Sequence, residues 1–205
     1  KIVDVLRRGG WDVTAVAMMA EHDIRATAAQ MNARSGYVAA LGGDGFIARV
    51  ASGIHGQGAP LIPIPSGRGN DLCRSLGIGA RGEPWARALA EASPSDVHGW
   101  IRPLDAIEVT PHEAGPKDIA DVIIYLGIDA RANLLANESW IRFGPLAYAV
   151  GALEAFLGRY KPQKVEVEID GQVRTLGGWL CSISNSGWFG DGINIVRSSD
   201  STDGV

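Results

Sequence analysis

Tyr37-Val38-Ala39-Ala40-Leu41 runs into Gly42-Gly43-Asp44-Gly45, and Pro60-Leu61-Ile62-Pro63-Ile64 runs into Pro65-Ser66-Gly67-Arg68-Gly69-Asn70-Asp71. Each is an apolar run of strand length ending in bare backbone. In a parallel α/β sheet the carboxyl ends of strands meet at one crevice, and ligands bind there. Glycine lets the main chain approach a ligand closely and adopt positive φ, and exposed N–H groups in such loops cradle phosphate. Two loops of this kind, converging, predict a nucleoside triphosphate site.

Outward from these loops the pattern alternates strand and helix. Ile2, Val3, Val5 and Leu6 read as the apolar face of a helix that ends at Gly9-Gly10. Val13–Met19 reads as a strand. Asp23 is placed to cap a helix reaching about Arg34, with Ile24, Ala28 and Met31 inward. Phe46, Ile47 and Val50 form one face of a helix after the first glycine turn, and another helix is expected to start near Asn70. The alternation through residue 78 predicts right-handed βαβ connections.

Past that point the character changes. Glu83–Ala92 reads as a helix, with Pro84 in its first turn. Ile101–Val109 and Val122–Gly127 read as strands joined by a polar loop, and Pro145–Tyr160 as a long helix. Lys164–Ile169 alternates with period two, Asp170-Gly171 is a two-residue hairpin turn, and Gln172–Leu176 returns. Trp179–Ser184 is a further strand. The expectation is two domains, an α/β domain over 1–98 and a β-rich, largely antiparallel domain over 99–205, with the nucleotide cleft between them.

Composition narrows the classes. The 205 residues are 46 % apolar and 20 % charged, an ordinary globular balance, and suffice for a sizeable core. A net charge of −4 gives no general attraction for nucleic acid or for an anionic membrane surface. No apolar run approaches the roughly 20 residues of a spanning helix. No signal peptide is visible, and the chain starts within a helical pattern, so the true N-terminus is expected upstream. Cys73 and Cys181 are far apart, which reads as free thiols in a reducing cytoplasm. His22, His55, His98 and His112 show no ligand spacing.

The motifs together carry a resemblance. GGDG at 42–45, followed by P-x-G-x-G-N-D-L-x-R at 65–74, resembles the catalytic domain of diacylglycerol kinases, sphingosine kinases and their bacterial lipid-kinase relatives. Leu104-Asp105, the segment Tyr125–Ala130, Gly144–Tyr148, Asn185–Gly192 and Asp203-Gly204 resemble later family segments, so the likeness covers nearly the whole chain. The family has threonine where this chain has Phe46 and again where it has Arg68, and asparagine and glutamate where Ala48 and Arg49 stand. Its triple glycine reads Phe189-Gly190-Asp191-Gly192 here.

The resemblance implies a three-layer α/β N-terminal domain lacking its first strand. It implies a β-sandwich-like C-terminal domain without its closing strands, and ATP with Mg²⁺ in the cleft. It implies transfer of a phosphoryl group to the primary hydroxyl of diacylglycerol or a related lipid in phospholipid metabolism. The enzyme would be cytoplasmic and peripheral to the inner membrane face, and a homodimer is one assembly it allows. An NAD kinase-like enzyme and a nucleotide-binding regulator without catalysis are the alternatives.

Individual residues follow. Phosphoryl transfer needs charge neutralisation, in-line placement and a proton acceptor. The backbone of Gly42, Gly43, Gly45, Ser66, Gly67 and Gly69 would supply the first. Asp44 either works at the transfer centre or caps the helix it opens. Arg68 either bridges phosphate oxygens or is a solvated loop charge. Asn70 either recognises the nucleotide or N-caps its helix. Asp71 and Arg74, three apart, share a helix face, and the resemblance implies a structural network joining them to Asp105. It also makes Asp203 a candidate base beside Asp44, though a turn aspartate before glycine would look the same. The metal ligands stay unassigned. Trp140, Phe143, Tyr148 and Phe156 either line an acyl slot or belong to the core.

Overall fold

The computed structural model describes residues 1–19, 22–110, 117–127, 130, 161–189 and 192–204. They fall into two compact units, 1–123 with 184–205, and 124–183.

The first unit is built on a parallel strand pair, β1 (Val38–Gly42) and β2 (Leu61–Pro65), in register from Val38 opposite Leu61 to Gly42 opposite Pro65. Parallel strands need a crossover, and α3 (Asp44–Ile54) supplies it. Side chains alternate across a strand, so β1 and β2 feed two cores. On one face Val38 and Ala40 pack with Ala28 of α2 (Ile24–Asn32), Ile47, Val50 and Ile54 of α3, and Leu72 and Cys73 of α4 (Asp71–Ser75). On the other, Ile64 packs with Leu6 of α1 (Ile2–Arg8), Ala86 and Leu89 of α5 (Gly82–Glu91), and Val97 of α6 (Pro94–Gly99). Helices thus cover both faces, the three-layer arrangement that the family resemblance implies. Ile47 and Leu72 are wholly buried, and each such side chain contributes about 1.5–3 kcal/mol.

Local signals explain the element ends. Asp23 accepts the Ala26 N–H at 3.1 Å and caps α2. Ser93 and Asp96 form a reciprocal capping box, with Pro94 at the first helical position, and start α6. That helix was absent from the sequence expectation.

Three sequence expectations are corrected. Val13–Met19 is irregular, not a strand. Its composition suits one, but a strand requires a backbone partner, and a cavity of about 400 Å³ lined by Trp11, Val13, Val16, Tyr37 and Ala39 separates it from β1. Of Ile101–Val109, only β3 (Ile107–Val109) is extended. The polar loop after it contributes β4 (Asp118–Ala120), antiparallel to β3. β4 is fixed to α3, where Ser52 Oγ accepts the Ile119 N–H at 3.0 Å, and to α2, where Arg25 pairs with Asp118. The short antiparallel pair β9 (Trp188–Phe189) and β10 (Ile193–Asn194) completes this unit.

In the second unit β5 (Ile123–Gly127) lies beside β8 (Leu180–Ser184), and β6 (Gln163–Ile169) pairs antiparallel with β7 (Gln172–Gly178). The hairpin turns where the sequence places it, with Asp170 and Gly171 at φ 51° and 75°, the left-handed pair a two-residue turn requires. The proposed helix 145–160, and with it Trp140, Phe143, Tyr148 and Phe156, lies outside the described residues. Among the described residues no helix is long and apolar enough to cross a membrane.

Candidate functional site

The two glycine loops leave the carboxyl ends of neighbouring parallel strands and touch each other. A Cβ on Gly67 would lie 2.4 Å from Gly43 Cα, and one on Gly43 would lie 3.1 Å from Gly67 Cα. A side chain at Gly67 would collide with backbone and one at Gly43 would be tight, so the backbones meet directly. The Ser66 N–H donates to the Gly42 carbonyl at 2.8 Å, extending the β1–β2 ladder into the loops.

Asp44 ties the loops a second time. It is half-buried at the first position of α3, and its Oδ1 accepts the Leu72 N–H of α4 at 3.1 Å. Its second oxygen has no protein donor among the described residues. The carboxylate does not cap its own helix, whose N-cap is Gly43 without a side-chain bond. Asp44 and Gly45 open that helix, so their N–H groups have no intrahelical acceptor.

The second loop is braced by Asn70. This residue is 1 % exposed and adopts the left-handed conformation, φ 55°. Its Oδ1 accepts the Gly67 N–H at 2.8 Å, and its Nδ2 donates to the carbonyls of Gly67 at 2.9 Å and Ala80 at 3.2 Å. Asn70 stands at the N-cap of α4, as one sequence reading has it, but its side chain makes no capping bond and braces the loop instead. The amide is fully engaged in shaping the loop. The N–H groups of Ser66 and Gly67 are likewise taken by protein acceptors, whereas those of Arg68 and Gly69 have none among the described residues. The Arg68 side chain is exposed.

Asp71 and Arg74 share a face as the spacing requires, with Arg74 Nε 4.0 Å from Asp71 Oδ1. Arg74 Nε donates to the Gly69 carbonyl at 3.0 Å, and Asp71 Oδ1 accepts the Gly192 N–H at 2.9 Å. Gly192, at φ +96°, lies flat against the Arg74 guanidinium, where a Cβ would come within 3.2 Å. Asp105 does not join this pair. Its Oδ2 accepts the Gly204 N–H at 2.7 Å and its own N–H donates to the Ser201 carbonyl at 2.8 Å, so it fixes the turn that carries the exposed Asp203.

Two buried groups given no site role by the sequence reading are joined to each other and to Asp105. Asn185 Nδ2 donates to the carbonyls of Asp105 at 2.6 Å and Asp121 at 3.1 Å. Asp121 is buried, and burial pushes its carboxyl up to about 6, with Asp44 adding to the rise. Burial also pushes the Cys73 thiol up to about 12, aided by Asp44 and Asp121. The available sequence signal was a lone carboxylate inside Ile119-Ala120-Asp121-Val122-Ile123-Ile124, since buried acids are rare without a purpose.

Residues 1–102 match the diacylglycerol kinase catalytic domain, and residues 122–205 match the YegS C-terminal NAD kinase beta sandwich-like domain. Diacylglycerol kinases of Mycobacterium tuberculosis strains CDC 1551 / Oshkosh and ATCC 25618 / H37Rv are each 26 % identical over 202 residues. The match covers 98 % of this chain, which spans 63 % of the length of those curated relatives. A crystal structure of a diacylglycerol kinase from Bacillus anthracis str. Sterne superposes with TM-score 0.69 at 18 % identity, over 99 % of this chain and 63 % of that one. Two other solved chains from the same organism give 0.72 and 0.74, each over 65 % of its length. At that identity the structures speak for the fold alone, and the family rests on the two sequence models, which between them take in both ends of the chain. The chain belongs to the diacylglycerol kinase catalytic-domain family.

Proposed function

We propose that the chain carries the phosphoryl-transfer site of an ATP-dependent lipid kinase acting on the primary hydroxyl of diacylglycerol or a related lipid. The observation that carries this reading is the backbone contact of Gly43 with Gly67 beside a carboxylate fixed by the Leu72 N–H. It puts unclaimed N–H groups of Asp44, Gly45, Arg68 and Gly69 on the two touching loops. Such groups stabilise the charge on phosphoryl oxygens without reorganising. Arg68 adds an exposed guanidinium able to take two of those oxygens. Asn70, Asp71 and Arg74 keep the loop in shape.

Among the described residues no group of three or more histidine, cysteine or carboxylate side chains is placed to cage a metal ion. Magnesium is taken as part of the substrate MgATP, held by its phosphates, as this ion commonly is. Asp44 and Asp203 are the two candidates for receiving the hydroxyl proton. In a loose transition state the proton leaves late, so a carboxylate suffices as its acceptor.

The test is transfer of radiolabelled phosphate from ATP to diacylglycerol in mixed micelles, with a sphingoid base and NAD as competing acceptors. Labelled phosphatidic acid is expected, reduced at least 100-fold by Asp44→Asn, and Arg68→Ala is expected to weaken MgATP binding. Transfer to NAD alone would replace this reading by the NAD kinase-like one. A second reading, a nucleotide-binding regulator, is motivated by Phe46, Ala48, Arg49 and Arg68 at positions where the family has polar side chains. MgATP affinity without transfer to any acceptor would establish it.

A further inference from the structure

The least expected group in the first unit is Asp121. It is 4 % exposed, and its Oδ2 has no hydrogen-bond partner, a condition shared among the described residues only with Trp85 Nε1. A buried unpaired oxygen of this kind calls for an explanation, because leaving it so is costly.

Its surroundings are defined. Asn185 and Ser186 donate their N–H groups to the Val122 carbonyl at 2.9 and 3.1 Å, and Asn185 Nδ2 reaches the Asp121 carbonyl, so the backbone here is held rigidly. Val122 packs with Leu72 and Cys73 of α4 in the apolar cluster. The titratable groups that face Asp121 are Asp44, from the start of α3, and the Cys73 thiol. On α4 the two charged groups turn elsewhere, Asp71 to the Gly192 N–H and Arg74 to the Gly69 carbonyl. The 184–186 segment offers only the neutral Asn185 and Ser186, and the Asp105 carboxylate is taken by Gly204. No cation faces the orphaned oxygen among the described residues. Burial of the carboxyl group, with the Asp44 carboxylate adding to the effect, favours its neutral form.

We propose that Asp121 is a positioning residue of the Asp44 site: a buried acid beside Asp44 whose neutral form spares the phosphate loops a further negative charge, with protonation of Asp121 and binding of a triphosphate mutually reinforcing. This rests on the kinase reading for the identity of the anion, but not for the state of Asp121. When Asp121 ionises, a second negative charge appears behind Asp44, and both the seat of α4 on Asp44 and the affinity for an anion weaken. By linkage, triphosphate binding draws a proton from solvent onto Asp121.

Calorimetry with MgATP in buffers of different ionisation enthalpy tests this near pH 6.5. The natural chain is expected to take up a fraction of a proton on binding and to lose about tenfold in affinity between pH 5.5 and 8. In Asp121→Asn the uptake falls to that of MgATP's own titration, and the affinity changes by no more than about twofold over the same range. Equal proton uptake in both proteins overturns the proposal, since the titration of MgATP itself is common to them. If neither protein binds MgATP, the kinase reading fails, and Asp121 is then judged by denaturation alone. There the midpoint of Asp121→Asn should gain on that of the natural chain as pH rises from 4 to 7, and parallel curves overturn the proposal. Should the asparagine variant not fold, carbon-13 spectra of the side-chain carboxyl groups in the natural chain decide. A buried aspartate still protonated at pH 5 supports the assignment, and one fully ionised there refutes it.

Discussion

Replacing Gly67 by alanine should force the two loops apart. The added carbon would stand 2.4 Å from Gly43 Cα, 3.2 Å from Gly43 N and 3.1 Å from Asn70 Oδ1. Carbon atoms at rest lie about 3.5–4.0 Å apart, so the second loop must move by about 1 Å. The obstacle is backbone, not the flexible end of a side chain, and both loops leave paired strands. Overpacking of this sort costs about 1–3 kcal/mol. The displaced loop also strains the 2.8 Å bond from the Gly67 N–H to Asn70. Urea denaturation followed through Trp11 and Trp85 is the assay. With a slope of about 1–3 kcal/mol per molar, the midpoint should fall by about 1 M. Gly43→Ala, with its nearest contact at 3.1 Å, should lose less. Gly45→Ala meets nothing within 4 Å and sits in the first turn of α3, so it should be neutral or gain about 0.4–1 kcal/mol. MgATP affinity should fall with Gly67→Ala in step with the loss of stability. A Gly67→Ala protein as stable as the natural chain, or the order of the three variants reversed, would refute the close backbone contact.

Asn70→Ala should cost about 3 kcal/mol, from an unpaired Gly67 N–H and a non-glycine residue at φ 55° without its stabilising side chain. Asn70→Gly should recover the backbone part, which paired denaturation curves would reveal. Cys73 is buried with its thiol pushed up to about 12, whereas Cys181 is half-buried, so native chains at pH 8 should label one thiol in a thiol-reagent count and two after unfolding. The Asp121 carboxyl is raised from 3.8 to about 6 in the fold, so the folded state binds the extra proton between those values. Stability should therefore fall as pH climbs from about 4 to 6 and level off above, by about 3 kcal/mol relative to Asp121→Asn. A flat difference between the two proteins across that range would contradict the burial.

Much of the fold could be read from local chemistry. The Asp23 cap, the Asp170-Gly171 hairpin and the alternation of apolar runs with glycine turns are decided within a few residues, where propensity and φ/ψ limits act. Val13–Met19 failed for the opposite reason: its residues suit a strand, but strandedness is a property of a pair, and no partner edge reaches it. β4 and the capping box of α6 were legible in principle, the second as Ser93-Pro94-Ser95-Asp96, and simply lay in stretches that read as loop.

The site divides along the same line. From the chain alone came the glycine loops, the choice of Asp44, and the shared face of Asp71 and Arg74, because residue type and spacing limit what those segments can do. Only the tertiary structure decided that Gly43 meets Gly67 and that Asn70 is absorbed by its own loop. It likewise turned Asp105 to Gly204 instead of Arg74, and left Asp121 sealed beside Asp44 with an oxygen unanswered. Those outcomes depend on contacts between residues far apart in sequence. Which donor reaches which acceptor there, and whether water is excluded, is fixed by packing that no local pattern records.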